Sequence, residues 1–216
     1  MTKYQQTFYD IKHTRNYKTV GDDVQYIIIN DDENKQIILQ FEESTDRHDW
    51  IENLTFIPWF LNLDGHLVLT TLGYAHAYKS TKNVPINEFI CSVLNSPASY
   101  KIVVRGWSFG SAMTKIVVRH YYYRKLKNKL LPKIDEEITY GDVKCWYNPF
   151  IKFFQKKYAR VIHHFTYIND FVTWCVPTCF RGLEHRVGGK FSLKKIFNTS
   201  YNHNHYEEYD YTKYEN

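Results

Sequence analysis

Apolar residues along the chain form short β-type runs that alternate with helical patterns. Two β-branched runs, at 25–30 and 36–41, flank the turn composition Asp31-Asp-Glu-Asn34 and predict a hairpin. From Pro85 onward, apolar positions recur with a helical period until Ser96-Pro97. The same reasoning predicts strands over 101–105, 138–141 and 160–167, and helices over 111–130 and 149–157. We expect residues 1–24 to be irregular or to begin with a strand.

This alternation of strands and helices indicates an α/β protein with a mostly parallel central sheet and helices on both faces. We predict one such domain over residues 1–199. The Tyr-rich polar tail at 200–216 has no periodic apolar face, so we expect it to be mobile or to be ordered only by docking. In this architecture, functional side chains gather at the carboxyl ends of the strands.

Composition and charge exclude several classes of protein. The chain has 216 residues and 44% hydrophobic residues, which is typical of a globular domain and not of a disordered one. Its net charge of +5 is too small to indicate a nucleic-acid-binding protein. No run reaches the roughly 18–20 apolar residues of a membrane span, and the N-terminal stretch is polar. We therefore expect a cytosolic location.

The cysteines predict no structural metal site. The four cysteines, at positions 91, 145, 175 and 179, form neither C-x-x-C nor a matched second pair. Reduced and mostly buried thiols are the simplest expectation for them.

The strongest local motif is Gly106-Trp-Ser-Phe-Gly110, which follows an apolar strand and precedes a helix. Gly-x-Ser-x-Gly in this context predicts a nucleophile elbow, a strained turn that presents Ser108 at the sheet edge. The glycines fit because a Cβ on either side of the serine would clash where the chain passes close to itself. The backbone N–H of Phe109 would then point to the position of an oxyanion. An ordinary glycine-flanked turn is the alternative interpretation.

A serine nucleophile needs a base, and the base needs an orienting carboxylate. Among the histidines after Ser108, His185 lies in a glycine-punctuated loop, where catalytic bases are often found. Asp170 follows the strand predicted at 160–167, at the correct end for a site. Spacing alone does not establish that Asp170 and His185 meet.

Five ordered segments resemble the class 3 lipase family, the fungal-lipase-like branch of the α/β-hydrolases. They cover about residues 36–188 and are Phe41-Glu-Glu-Ser-Thr-Asp-Arg-His-Asp-Trp50, Ile51-Glu-Asn-Leu54, Gly73-Tyr-Ala-His-Ala-Tyr78, Gly106 to Gly110, and Asn169-Asp-Phe-Val172 with Pro177, Gly182-Leu-Glu-His185 and Gly188. The order of the segments, more than any single one, carries the resemblance.

The resemblance implies the α/β-hydrolase fold and an ester hydrolase with an acyl-enzyme intermediate. It implies that Ser108 is the nucleophile, Asp170 the acid and His185 the base. The backbone N–H groups of Ser44 and Phe109 would form the oxyanion hole, and the reaction would need no metal or cofactor. The implied substrates are acylglycerols, phospholipids or other acyl esters.

The family's lid would fall within about residues 54–71. There, Trp59, Phe60 and Leu61 would either contact acyl chains or a lipid interface, or pack on the core. The basic stretch 119–133 would suit an anionic lipid surface, or would be a solvated helix end.

The chain departs from the family at the oxyanion segment. Glu42-Glu43 replaces the family's Arg-Gly, and a carboxylate near a developing oxyanion would oppose it. This departure keeps a second function open, a lipase-like scaffold that binds a ligand or protein partner without catalysing turnover. A third possibility, nucleic-acid binding by the segment Tyr121-Tyr-Tyr-Arg-Lys125, is disfavoured by the modest net charge and the lack of a recognised motif.

Overall fold

A computed structural model describes residues 1–42, 57–146, 151–167, 170, 173, 185–187 and 205–215. These residues form a seven-stranded main sheet and a separate two-stranded hairpin. The strands of the main sheet are β1 (Lys18–Val20), β2 (Val24–Asp31), β3 (Gln36–Phe41), β6 (Lys101–Trp107), β7 (Ile134–Tyr140), β8 (Ala159–Tyr167) and β9 (His185–Val187). The hairpin strands are β4 (Pro58–Leu63) and β5 (His66–Thr71).

The main sheet has the order β1-β2-β3-β6-β7-β8-β9. Neighbouring strands from β3 to β9 pair in parallel, whereas β1 and β2 run antiparallel at one edge. The carboxyl ends of β3, β6, β7 and β8 therefore lie at one edge of the sheet, which is where an α/β protein places its site. The sheet and its helices form the predicted α/β-hydrolase fold.

Helices cover both faces of the main sheet. They are α1 (Lys3–His13), α2 (Leu72–Ser80), α3 (Val84–Asn95), α4 (Phe109–Lys127) and α5 (Ile151–Tyr158), with short 3₁₀ helices at Tyr206–Glu208 and Thr212–Tyr214. The first face carries α2 to α5 and an aliphatic core that includes Leu39, Val104 and Ile116. No helix in the described ranges is long and apolar enough to cross a membrane.

The second face is covered by α1 and the C-terminal segment 205–215, and its core consists mainly of aromatic rings. Phe8 of α1 packs edge-on against Trp107, with ring centroids 5.4 Å apart, and lies 5.5 Å from the ring of Tyr206. Tyr140 of β7 stacks on Phe165 of β8 at 5.3 Å. Large rings bury much apolar area per residue, so one short helix and one irregular segment provide most of the cover that the described residues give this face.

Two expectations for the chain ends can be compared with this arrangement. The expectation that residues 1–24 are irregular or contain an early strand was wrong for Lys3–His13, which form a helix with a capping box between Thr2 and Gln5, whereas β1 at Lys18–Val20 is such a strand. Residues 205–215 are docked on the second face, as one of the two expectations for the tail required. The domain boundary at residue 200 lies outside the described residues and stays a prediction.

Candidate active site

Ser108 occupies a sharp turn between β6 and α4. Strand β6 ends at Trp107, helix α4 begins at Phe109, and the backbone of Ser108 has φ 55° and ψ −120°. A non-glycine residue at positive φ is uncommon and costs free energy, and such strain is concentrated at functional sites. The serine side chain is thereby presented at the carboxyl edge, as a nucleophile elbow requires.

The two glycines of the motif are needed for close packing around this turn. A Cβ on Gly106 would lie 2.3 Å from the carbonyl oxygen of Gly110. A Cβ on Gly110 would lie 2.6 Å from the carbonyl oxygens of both Phe41 and Glu42. Both contacts are with backbone atoms that cannot move aside, so only glycine fits at either position.

Two segments border the predicted oxyanion position. Phe109 is the first residue of α4, where backbone N–H groups have no partner within the helix and the helix dipole is positive. Ser44, predicted to supply the second N–H, and Glu43 lie outside the described residues. Glu42 is described, and burial raises the pKa of its carboxyl group, an effect that the positive charge of Arg15 partly opposes.

A buried ion pair fixes the first turns of α4 to the loop that follows β7. Lys115 Nζ lies 2.6 Å from Asp142 Oδ1 and donates a hydrogen bond of 2.7 Å to the carbonyl oxygen of Val143. The backbone N–H of Val143 donates to Ser111 Oγ at 3.1 Å. Both charged side chains are at most 1% exposed, so these contacts are shielded from water. The sequence motifs did not indicate this pair.

Asp170 lies just beyond the carboxyl end of β8, on the same edge as Ser108. It is fully buried, and its backbone N–H donates to the carbonyl oxygen of Tyr167 at 3.0 Å. Strand β8 is two strands away from β6, a separation of about 10 Å between strand axes. An imidazole between the two side chains could span this gap.

The structure does not place His185 between Ser108 and Asp170. Trp107, Tyr140, Phe165 and His185 are paired in one row across β6, β7, β8 and β9. His185 is thus three strand spacings, about 14 Å, from the residue before Ser108. Strand register, which sequence spacing does not reveal, sets this position, and the assignment of His185 as the base stays a prediction.

The ring of His185 also points away from the carboxyl edge. Its Nε2 lies 3.2 Å from Nδ1 of His163, which precedes Phe165 on β8, and His163 Nε2 lies 2.7 Å from the hydroxyl of Tyr4. Burial lowers the pKa of His163 to about 4 and also lowers that of His185. These two histidines therefore form part of the half-buried contact between α1, β8 and β9.

The C-terminal segment brings other side chains to Asp170. The hydroxyl of Tyr206 donates to Asp170 Oδ2 at 2.9 Å, and His205 immediately precedes it. His203 lies outside the described residues. Sequence reasoning missed Tyr206, although a signal existed, because the otherwise polar tail contains a tyrosine every two to five residues and isolated large rings are usually buried.

The predicted lid region is the hairpin of β4 and β5. Trp59 and Phe60 are 52% and 64% exposed, whereas Leu61 is only 5% exposed and belongs to the aliphatic core. Leu61 therefore packs on the core, which was one of the two expectations for this segment, because its side chain faces inward from β4. The hairpin is held to the loop after β7 by Thr70, whose hydroxyl donates to the carbonyl oxygen of Cys145 at 2.6 Å.

The mostly parallel sheet and the strained serine between two close-packed glycines define an α/β-hydrolase with a nucleophile elbow. A family model described as lipase (class 3) matches residues 38–180. The chain belongs to the class 3 lipase family.

Solved lipase structures share this fold. The Rhizomucor miehei lipase–propeptide complex matches with 21% identity and a TM-score of 0.63, over 76% of this chain and 53% of that chain. A triacylglycerol lipase whose catalytic centre is formed by a serine protease triad matches with 19% identity and a TM-score of 0.64, over 81% and 66%. Lip2 lipase from Yarrowia lipolytica matches with 17% identity and a TM-score of 0.61, over 88% and 77%.

The matched structures are distant in sequence, and the first three are longer than this chain. At such identities they show the fold alone. The chain spans only 64%, 53% and 55% of the length of the first three similar structures. No curated protein is significantly similar to the chain in sequence.

Proposed function

We propose that the protein is a serine carboxylic-ester hydrolase that acts through an acyl-enzyme. The observation that carries this proposal is the backbone of Ser108, held at φ 55° between glycines that admit no Cβ. Packing alone does not explain a serine in this strained backbone conformation, because a residue without the strain, such as glycine, would make the fold more stable. Membership of the class 3 lipase family supports the same assignment.

In the proposed mechanism, a histidine removes the proton of Ser108 as its Oγ attacks the ester carbonyl. Asp170 orients the imidazole and stabilises the imidazolium. The backbone N–H groups of Phe109 and Ser44 bind the oxyanion. The imidazolium then protonates the departing alcohol, which leaves the acyl group on Ser108. The same histidine activates a water molecule, and the attack of that water releases the acid and restores the serine.

We propose that the C-terminal tail supplies this histidine. Support comes from the bond between Tyr206 and Asp170, which draws the tail to the acid, whereas the ring of His185 is bonded to His163. His205 adjoins Tyr206, and His203 is two residues earlier. The proposed base is therefore either His203 or His205.

The test is fluorophosphonate labelling together with hydrolysis of short and long p-nitrophenyl esters. Wild type should label and turn over, and Ser108→Ala should do neither. Among His185→Gln, His203→Gln and His205→Gln, one of the two tail variants should lose turnover, and His185→Gln should keep it. Folded wild type that neither labels nor hydrolyses esters would instead favour the binding scaffold.

We also propose that the substrate is presented by an anionic lipid surface. The hairpin exposes Trp59, Phe60 and Leu67, of which Phe60 and Leu67 lie on its outer face and Trp59 lies near the start of β4. Exposed large apolar side chains grouped in this way are typical of surfaces that contact a partner or a membrane. The basic end of α4 lies beside its tip, because Lys127 Nζ donates to the carbonyl oxygen of Asp64 at 2.7 Å. Apolar side chains next to basic ones suit a negatively charged bilayer.

Vesicle sedimentation tests this second proposal. Wild type should sediment with vesicles that contain phosphatidylglycerol and should do so less with pure phosphatidylcholine. A Trp59→Ser, Phe60→Ser variant should lose sedimentation and still hydrolyse short soluble esters. Leu94→Ser, which removes an apolar side chain that is 46% exposed on α3, is the matched control. Equal loss of binding in this control would argue against a specific role for the hairpin.

A further inference from the structure

The hydroxyl of Tyr206 is shared between two partners that fix its orientation. Its oxygen accepts a hydrogen bond of 2.9 Å from the backbone N–H of Tyr167. Because that N–H can only donate, the single proton of the hydroxyl is directed to its other partner, Asp170 Oδ2, at 2.9 Å. Tyr206 and Asp170 are both fully buried, so water does not compete for this contact.

This hydroxyl stays a donor under all ordinary conditions. Burial, reinforced by the negative charge of Asp170, raises the pKa of Tyr206 well above its usual value. The phenol therefore stays protonated, and it presents a fixed donor to one oxygen of the carboxylate. A hydrogen bond to a charged acceptor is stronger than one between neutral groups.

Helix α1 holds the segment that carries Tyr206. Gln5 Nε2 donates to the carbonyl oxygens of Glu207 and Tyr209, at 3.0 and 3.2 Å. Lys12 Nζ lies 2.9 Å from Glu207 Oε1. These contacts set the position of the segment immediately beside Tyr206, so the orientation of Asp170 depends on a helix near the other end of the chain.

We propose that Tyr206 is a positioning residue that orients Asp170 for its role toward the base, and that α1 keeps Tyr206 in place. This inference rests on the proposed ester hydrolase. It makes the acid of the site dependent on three separate parts of the chain, β8, the C-terminal segment and α1.

Tyr206→Phe tests the inference, with Tyr211→Phe as the matched control. Tyr211 is also fully buried in the same segment, and its hydroxyl donates to the carbonyl oxygen of Tyr206 at 2.8 Å without touching Asp170. Each variant thus removes one buried hydroxyl and keeps the ring. Tyr206→Phe should lower kcat for a soluble p-nitrophenyl ester by about 10- to 100-fold with KM unchanged. Both variants should lower Tm by a similar amount, because each loses one buried hydrogen bond. Tyr211→Phe should nevertheless leave kcat within about twofold of wild type.

The outcomes separate the inference from the function on which it rests. If wild type labels at Ser108 and the two Phe variants have equal kcat, the positioning role is overturned. If wild type does not label at all, the proposed function is overturned and the positioning role with it. Should Tyr206→Phe fail to fold, Gln5→Ala decides, because it frees the segment without removing the hydroxyl. It should lower kcat severalfold at constant KM, and an unchanged kcat would count against the role of α1.

Discussion

Ser108, the proposed nucleophile, and Asp170, the proposed acid, are held in place by different means. Ser108 is fixed mainly by its own motif, through two close-packed glycines and the start of α4, and its backbone N–H donates to the carbonyl oxygen of Tyr140 at 3.0 Å. Asp170 is fixed by the hydroxyl of a residue 36 positions further along the chain, in a segment held by α1. A locally fixed side chain tolerates changes elsewhere in the protein, whereas one fixed by distant contacts is sensitive to them. The two halves of the site should therefore respond differently to mutation.

Asp170→Asn should give the largest effect, because it changes the side chain that depends on contacts between distant segments. The amide retains the volume and can accept the Tyr206 hydroxyl, but it cannot stabilise an imidazolium. We expect kcat to fall by about 10³- to 10⁴-fold with little change in Tm, measured by ester hydrolysis and thermal melting. Activity within a few-fold of wild type would show that Asp170 is not the acid.

Gly106→Ala tests the local half and should rank second. The new Cβ would meet the Gly110 carbonyl oxygen at 2.3 Å and displace the elbow. Since a shift of 1 Å can cost about 100-fold, the rate of fluorophosphonate labelling should fall at least that far. Gly65→Ala is the control, because Gly65 has φ +94° in the hairpin turn but nothing within 4 Å of the added Cβ. Gly65→Ala should lower Tm and leave labelling unchanged. Equal labelling rates of the two variants would show that close packing at Gly106 does not hold Ser108 in place.

Lys115→Met tests whether the start of α4, which follows Ser108, depends on the ion pair with Asp142. It leaves Asp142 without its cation in a fully buried position. We expect a loss of about 3–5 kcal/mol in unfolding free energy and a fall in Tm of about 10 °C. Lys115→Met with Asp142→Asn should recover part of that loss in denaturant titrations. If Lys115→Met alone is as stable as wild type, the ion pair does not stabilise the position of α4.

The smallest effect concerns the pH dependence of the second face. Burial first, and then the neighbouring His185, lower the pKa of His163 to about 4, below its unfolded value of about 6.5. The folded state thus binds fewer protons than the unfolded state between these values, so stability present above pH 6.5 is lost as the pH falls toward 4. The groups that act on the pair are Lys3, Tyr4, His164, Lys213 and Tyr214.

His163→Gln should flatten the fall in Tm between pH 7 and pH 5, as measured by thermal melting. His76→Gln is the matched control, because the side chain of His76 is 73% exposed and should leave the pH profile unchanged. A wild-type profile already flat over this range would contradict the expectation.

Local patterns predicted the parts of the molecule that depend on local contacts. The strands at 36–41, 101–107 and 159–167, the helix after Ser108 and the elbow itself follow from apolar periodicity and two glycines. Helix α1 was missed because its buried stripe consists of Tyr4, Thr7, Phe8 and Ile11 in a segment that is otherwise polar. Its capping box at Thr2 and Gln5 was the available signal.

Contacts between distant segments could not be predicted in this way. His185 lies opposite Phe165, and its ring packs against His163 and Tyr214, contacts that spacing in the sequence does not encode. The bond between Tyr206 and Asp170 also joins segments with no shared pattern. The cytosolic location stays a prediction.

The order of synthesis separates the two halves of the site in time. Ribosomes add roughly 5–20 residues per second, so Tyr206 is made about 5 to 20 s after Ser108. During that interval the nascent chain can form its elbow, but Asp170 lacks the hydroxyl that orients it. On the proposed function, a chain made in this order reaches its full rate only after the segment 205–215 has folded back onto α1.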